Sequence, residues 1–154
     1  MAMSQVSIRR AGIDDVPVLA PLFDTYRQFY QMPADLRVAR EYLSARLKAS
    51  ESVIFMAQDA SGHALGFCQL YPTFCSVVAR RQFVLYDLFV APEARRTGSG
   101  KALLLRAEQH AIEHGAARME LQTAKDNLGA QRLYEENGWV RDEVFFVYSK
   151  AITG

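Results

Sequence analysis

The sequence predicts an α/β fold in which a mixed sheet carries helices on its faces. Three observations predict it. The hydrophobic period changes from helical to strand-like near residue 50 and becomes helical again near residue 98. The turn Ala60-Ser61-Gly62 joins two alternating runs as a hairpin. Residues 83–91 (F-V-L-Y-D-L-F-V-A) are apolar on both faces, as in a strand at the centre of a covered sheet. The resulting order is β-α-α-β-β-β-α-β-α-β, which implies a mixed sheet flanked by helices.

The elements follow in turn. Residues 4–11 read as a first strand, with Val6 and Ile8 alternating against polar neighbours. Asp14 and Asp15 offer helix caps, and Leu19, Leu22, Phe23, Tyr26, Phe29 and Tyr30 then recur at helical spacing as far as about Gln31. Pro17 suits the first turn of that helix, whereas Pro21 is poised to kink it. Pro33 ends the element; residues 35–49 form a second helix with Leu36, Ala39, Leu43 and Leu47 on one face. Residues 52–59 and 64–73 are the hairpin strands, and residues 83–91 the central strand, with Asp87 its one charged residue. A helix over residues 98–114 has Leu104, Ala107 and Ala111 at its buried centre, Arg106, Gln109 and Glu113 on its wet side and Gly115 as its stop. Residues 117–123 give another strand, residues 127–137 a helix stopped by Gly138, and residues 139–149 a last extended stretch.

Composition bounds the class. The 154 residues, half of them hydrophobic, suffice for one domain with a real core, so residues 1–154 are expected to form a single domain. Eighteen basic against seventeen acidic residues leave a net charge of +1, no electrostatic footprint for nucleic acid or an anionic membrane. No apolar run approaches the roughly 20 residues that span a bilayer, and Met1-Ala2-Met3-Ser4-Gln5 carries no secretory pattern, so a soluble cytoplasmic protein is expected. Cys68 and Cys75 share one extended segment. At about 3.3 Å per residue they stand some 23 Å apart, too far for a disulfide, and reduced thiols follow.

The segment richest in chemistry is V-A-P-E-A-R-R-T-G-S-G-K, running from a buried strand through a loop into a helix. Gly98 and Gly100 allow positive φ and close approach of the backbone. The first helical N–H groups lack internal partners and the helix dipole adds positive potential. Three cations at that end, Arg95, Arg96 and Lys101, are unfavourable in isolation and make sense around a phosphate or pyrophosphate. A P-loop fails, because Arg95 stands at its first glycine and Ala102 at its magnesium-binding hydroxyl. A dinucleotide fingerprint fails at its third glycine, which is Leu103.

What remains resembles the GCN5-related N-acetyltransferase superfamily. Arg95-Arg96-Thr97-Gly98-Ser99-Gly100 matches its pyrophosphate loop R/Q-x-x-G-x-G/A, the preceding D-L-F-V-A-P-E is typical of it, and Asn127 to Tyr134 with Gly138-Trp139 is similar to its N-x-x-A-x-x-x-Y-x-x-x-G-[FW]. Many members carry glycine where this chain has Arg96. The resemblance implies a largely antiparallel sheet and direct acetyl transfer from acetyl-coenzyme A, its cosubstrate, to a primary amine, with no metal. It implies that Arg95, Arg96, Thr97, Gly98, Ser99, Gly100 and Lys101 hold the pyrophosphate. The pantetheine arm is expected to pair like an extra strand with Leu88, Phe89 and Val90, where the sheet splays, and to meet Asn127, Ala130 and Leu133. Tyr134 is expected to reach the sulfur as proton donor to the departing thiolate. Tyrosine titrates near 10 and a thiol near 8.5, so a strong hydrogen bond from the phenol suffices.

The acceptor side is open at this level. Asp87 is either a general base with a burial-raised pKa or a structural acid bonded to backbone. Its L-x-D-x-F-V run resembles diamine and polyamine acetyltransferases, which carry glutamate just before the aspartate; here that residue is Tyr86, a candidate for the acceptor pocket. Tyr26 and Tyr30, with Asp24 and Asp35, lie on and after the first helix, which borders the acceptor site in such proteins. His110 and His114 read as surface residues near a helix C-terminus. A small-molecule amine is the expected acceptor; a protein N-terminus or lysine, or a non-catalytic acyl-coenzyme A module, are the alternatives. A homodimer is expected, with the V-F-F-V-Y run as one candidate contact.

Overall fold

A computed structural model describes residues 5–153. The first strand's expected start at Ser4 and most of the N-terminal stretch read for a leader lie outside those residues. The chain forms β1 (Ser7–Arg10), a 3-10 turn (Ile13–Asp15), α1 (Val16–Phe29), α2 (Leu36–Lys48), β2 (Val53–Gln58), β3 (Ala64–Cys75), β4 (Arg80–Val90), a second 3-10 turn (Pro92–Ala94), α3 (Ser99–Glu113), β5 (Arg118–Glu120) and α4 (Leu128–Glu136). Two compact units divide it, Met1–Leu121 and Gln122–Gly154. Among the described residues no helix is long and apolar enough to cross a membrane.

The first unit holds the sheet, ordered β1-β2-β3-β4-β5. The first four strands are antiparallel, and β5 is parallel to β4. A parallel neighbour requires a crossover, which α3 supplies. Strand β2 shows why both faces are covered: residues 53–57 are all buried, and successive side chains point to opposite faces. Ile54 and Met56 join Leu19, Phe23 and Leu43 of α1 and α2 in one core cluster. Phe55 turns the other way, against His110 and Arg106 of α3. The cysteines are unbonded as expected, Cys68 buried and Cys75 half-buried on β3. Burial pushes the Cys68 thiol up to about 12.

Helix α1 runs through Pro21, as its spacing implies. Three features correct the sequence reading. Strand β5 spans three residues rather than seven, because its ladder with β4 covers only Gln82, Phe83 and Val84. Among the described residues no strand follows α4, and Val144, Phe145, Phe146, Val147 and Tyr148 are 71–90% exposed. A continuous apolar run marks a segment able to pair, but without a ladder partner it is no strand. Finally, His110 is buried, 3% exposed. It falls on the inward stripe of α3 with Leu103, Leu104, Ala107 and Ala111, and helical spacing rather than residue polarity decides its side. Its ring meets Phe55 and Phe83 edge-on at 5.6 and 5.3 Å and stacks on His114 at 4.0 Å. Arg106 is likewise half-buried, its guanidinium 4.5 Å from the Phe55 ring centre.

Burial, with the positive charge of neighbouring groups, lowers the pKa of His110 to about 4. The unfolded chain therefore takes up this proton first as the pH falls. Stability is fully present above about 6.5 and declines toward pH 4, by on the order of 2 kcal/mol for this group. Urea denaturation of wild type and His110→Leu at pH 7.5 and 4.5 checks it: the variant loses markedly less stability between the two, and equal losses would contradict the assignment.

Candidate active site

The glycine loop is built by backbone conformation. Ala91 N–H donates to Leu65 O at 2.8 Å, holding the end of β4 against β3. After the 3-10 turn, Arg95 is extended, Arg96 is left-handed at φ +65° and Gly98 at φ +82°. The Thr97 hydroxyl donates to Ala94 O at 2.7 Å and lies 2.6 Å from the hydroxyl of buried Ser99. These bonds fix the loop from below. Helix α3 begins without a side-chain cap; Ala102 N–H makes the first intrahelical bond, to Gly98 O. The N–H groups of Ser99, Gly100 and Lys101 therefore have no helical acceptor. A Cβ at Gly98 meets nothing within 4 Å, so glycine is required there by φ, and the space above it is open to a ligand. Arg95, Arg96 and Lys101 are exposed and form no ion pair among the described residues. The loop presents donors and positive charge to one point and suits a diphosphate.

The strand leading into the loop is paired on one side only. β3 follows β4 from Cys75 opposite Arg80 to Gly66 opposite Val90, whereas β5 stops at Val84. Residues 85–90 therefore keep a free edge among the described residues, with alternate N–H and C=O groups unmatched. Gly66 permits the tight fit on the paired side: a Cβ there would stand 2.6 Å from Phe89 O. Leu88 and Val90 are half-buried, while the Phe89 side chain lies in the core beside Tyr26 and Phe67, so only its backbone remains to meet a ligand. The β3–β4 register steps from Gln69–Asp87 to Leu70–Leu85, leaving Tyr86 as the extra residue of a bulge.

That bulge turns Tyr86 outward, 65% exposed, and Asp87 inward, 4% exposed. A cavity of about 300 Å³ lies at Asp87, walled by Phe23, Tyr26, Arg27, Val38, Tyr42, Tyr71 and Tyr86. Gln69 Nε2 donates to the Asp87 carboxylate at 2.7 Å, and the Tyr26 hydroxyl also donates to it. Asp87 is thus held by side chains, not by backbone. Burial raises its pKa, and these two donors oppose the shift only in part. Burial and the Asp87 charge together push the Tyr26 phenol up. Tyr71 shares a 2.5 Å hydrogen bond with Tyr42 and meets Tyr86 edge-on at 5.4 Å.

Not every expected residue comes to this cavity. Tyr30 packs edge-on against Tyr26 and is half exposed outside the wall. Asp24 accepts from Asp35 N–H and Gln28, and Asp35 caps α2 by accepting from Val38 N–H; both acids are spent on the joint between α1 and α2. Arg27, Tyr42, Tyr71 and Gln69 were missed. Asp87 marked its own strand, but no local pattern joins it to residues 45 and 60 positions away.

Within the second unit, Asn127 is the N-cap of α4, its Oδ1 accepting from Ala130 N–H at 3.2 Å; its amide donors remain for a ligand. Ala130, Leu133 and Tyr134 are half-buried, and the Tyr134 ring stands 6.1 Å from that of Trp139. At the end of α3 the donor atoms of His110, Glu113 and His114 lie within 4.8 Å of one another, but Glu113 is engaged by Gln109 and Arg106.

The sequence profile of the acetyltransferase (GNAT) family matches residues 19–139. The chain belongs to this family. As a GNAT protein it is an N-acetyltransferase, an acyltransferase. The uncharacterized N-acetyltransferase YhfO of Bacillus subtilis is 46% identical to it over 143 residues, covering 93% of this chain and 95% of that protein. A crystal structure described as a probable acetyltransferase superposes with a TM-score of 0.90 at 42% identity, over 96% of this chain and 99% of the other. A shorter match, 33% over 73 residues, joins 47% of this GNAT chain to 32% of an L-ornithine N5-acetyltransferase of Arabidopsis thaliana.

The left-handed Arg96 gives a direct test of the loop. An L-residue held there costs about 1–2 kcal/mol, partly offset by the greater chain entropy that glycine loses on folding. Arg96→Gly is expected to raise stability by about 0.5–1 kcal/mol in urea denaturation; a destabilised variant would contradict the loop conformation.

Proposed function

We propose that the chain transfers the acetyl group of acetyl-coenzyme A to the primary amine of a small molecule by direct attack. One observation carries this reading: the free edge of β4 leads, through a single 3-10 turn, to the start of α3, where the first N–H groups have no helical acceptor and the nearby cations form no ion pair among the described residues. A pantetheine arm has amides spaced along an extended chain and ends in a diphosphate. The edge offers alternating partners to the amides, and Ser99, Gly100 and Lys101 offer N–H groups to the diphosphate.

The chemistry then follows from groups on the chain. The amine nitrogen attacks the thioester carbonyl once it has lost its proton. Asp87, with its raised pKa, is the candidate acceptor of that proton, directly or through Tyr26. Backbone N–H groups of the free edge stabilise the oxyanion. As the C–S bond breaks, the thiolate receives a hydrogen bond or a proton from Tyr134, the role that the family resemblance assigns to it, while the Asn127 amide serves the arm. The acceptor reading rests on the cavity at Asp87, whose small volume and aromatic wall suit a compact amine. The relative that acts on L-ornithine agrees with a small acceptor. Pairing of two copies through the exposed run at residues 144–148 completes the proposal.

Release of coenzyme A across a panel of small amines tests the reading. Tyr134→Phe is expected to lower turnover by roughly 10²- to 10⁴-fold, with acetyl-coenzyme A still taken up in calorimetry. Unchanged turnover in that variant, or no uptake by the folded wild type, would overturn it.

A further inference from the structure

The cavity at Asp87 holds a second charge that the transfer chemistry leaves unused. Arg27, on α1 next to Tyr26, lines the same wall. Its Nη1 is buried and has no hydrogen-bond partner among the described residues. A guanidinium never sheds its charge at ordinary pH, so a buried, unmatched N–H on it is a costly arrangement. No ion pair joins Arg27 to Asp87, the acid on the same wall, among the described residues. Asp87 is instead engaged by Gln69 and Tyr26. The acid of the adjoining helix turn, Asp24, is likewise engaged, by Asp35 and Gln28. Two opposite charges thus line one small aromatic cavity and form no ion pair with each other among the described residues.

We propose that Arg27 binds a carboxylate of the acceptor, so that the substrate is an amine that also carries a carboxylate: an amino acid or a zwitterion of similar size. This rests on the acetyl-transfer reading above and names the acceptor class for the same cavity. The amine is presented toward Asp87 and the carboxylate toward Arg27, where the planar guanidinium offers paired donors in the geometry that a carboxylate accepts. The aromatic rings of Tyr42 and Tyr71 leave the two charges as the recognition elements of the wall. A diamine fits less well, since its second ammonium would approach the guanidinium.

The test compares matched pairs of amines with and without the carboxylate, lysine against cadaverine and ornithine against putrescine, by kcat/KM in wild type, Arg27→Gln and Arg27→Lys. The wild type is expected to prefer the carboxylate-bearing member of each pair. In Arg27→Gln the preference ratio falls roughly 10- to 100-fold, the size of a charge-assisted hydrogen bond, and Arg27→Lys restores part of it. Equal use of both members by the wild type overturns the inference, whether or not either variant folds. So does an unchanged ratio in Arg27→Gln. Turnover of amines without regard to the carboxylate leaves acetyl transfer standing and removes this inference alone; no turnover of any amine removes both.

Discussion

The structure of the first unit depends on one interruption in hydrogen bonding. β4 pairs with β3 along its whole length, yet loses β5 after Val84. Six further residues run to Val90 with one edge unpaired. A backbone edge in a protein interior is ordinarily paired, because unmatched N–H and C=O groups are costly to desolvate. Here the edge is retained inside the sheet, flanked by the strand that anchors it and by the loop that follows it. The three-residue length of β5 leaves that edge open among the described residues, and a longer ladder would occupy it.

The bulge at Tyr86 acts at the middle of that same edge. A regular ladder would put successive residues on opposite faces throughout. One extra residue shifts the phase of the strand, so that Tyr86 and Asp87, which strict alternation would part, line the same cavity, Tyr86 exposed at its lip and Asp87 buried against Gln69 and Tyr26. The bulge thus sets both the carboxylate and the aromatic lip of the cavity from two adjacent positions. The price is a carboxylate in an apolar wall, visible as its raised pKa, and the proposed role of Asp87 as proton acceptor draws on that departure.

Most of this fold could be read from the chain because its signals are local. The hairpin turn, the doubly apolar β4 and the Gly98 start and Gly115 stop of α3 each announce themselves within a few residues. The loop was legible for the same reason: glycines and cations stand together between a buried strand and a helix. The left-handed φ of Arg96 also fits the glycine that the family resemblance leads one to expect there. What escaped is non-local. Strand alternation does not reveal a bulge, so the meeting of Tyr86 and Asp87 at one cavity was hidden. The cavity wall joins α1, α2, β3 and β4, and Arg27, Tyr42 and Tyr71 carry no mark of it in sequence. His110 misled because its polarity suggested solvent, while its helical position places it between Phe55 and Phe83. The run at residues 144–148 misled in the opposite sense, continuously apolar like a buried strand without forming one.

Amide hydrogen exchange with and without acetyl-coenzyme A measures the free edge most directly. Slowed exchange at alternate residues within 85–90, together with Ser99, Gly100 and Lys101, is the expected result, since these N–H groups gain acceptors when an arm and a diphosphate occupy the edge and the loop. Binding that leaves those amides exchanging as before, with protection only elsewhere in the chain, would show that the open strand and the glycine loop are not where the donor is held.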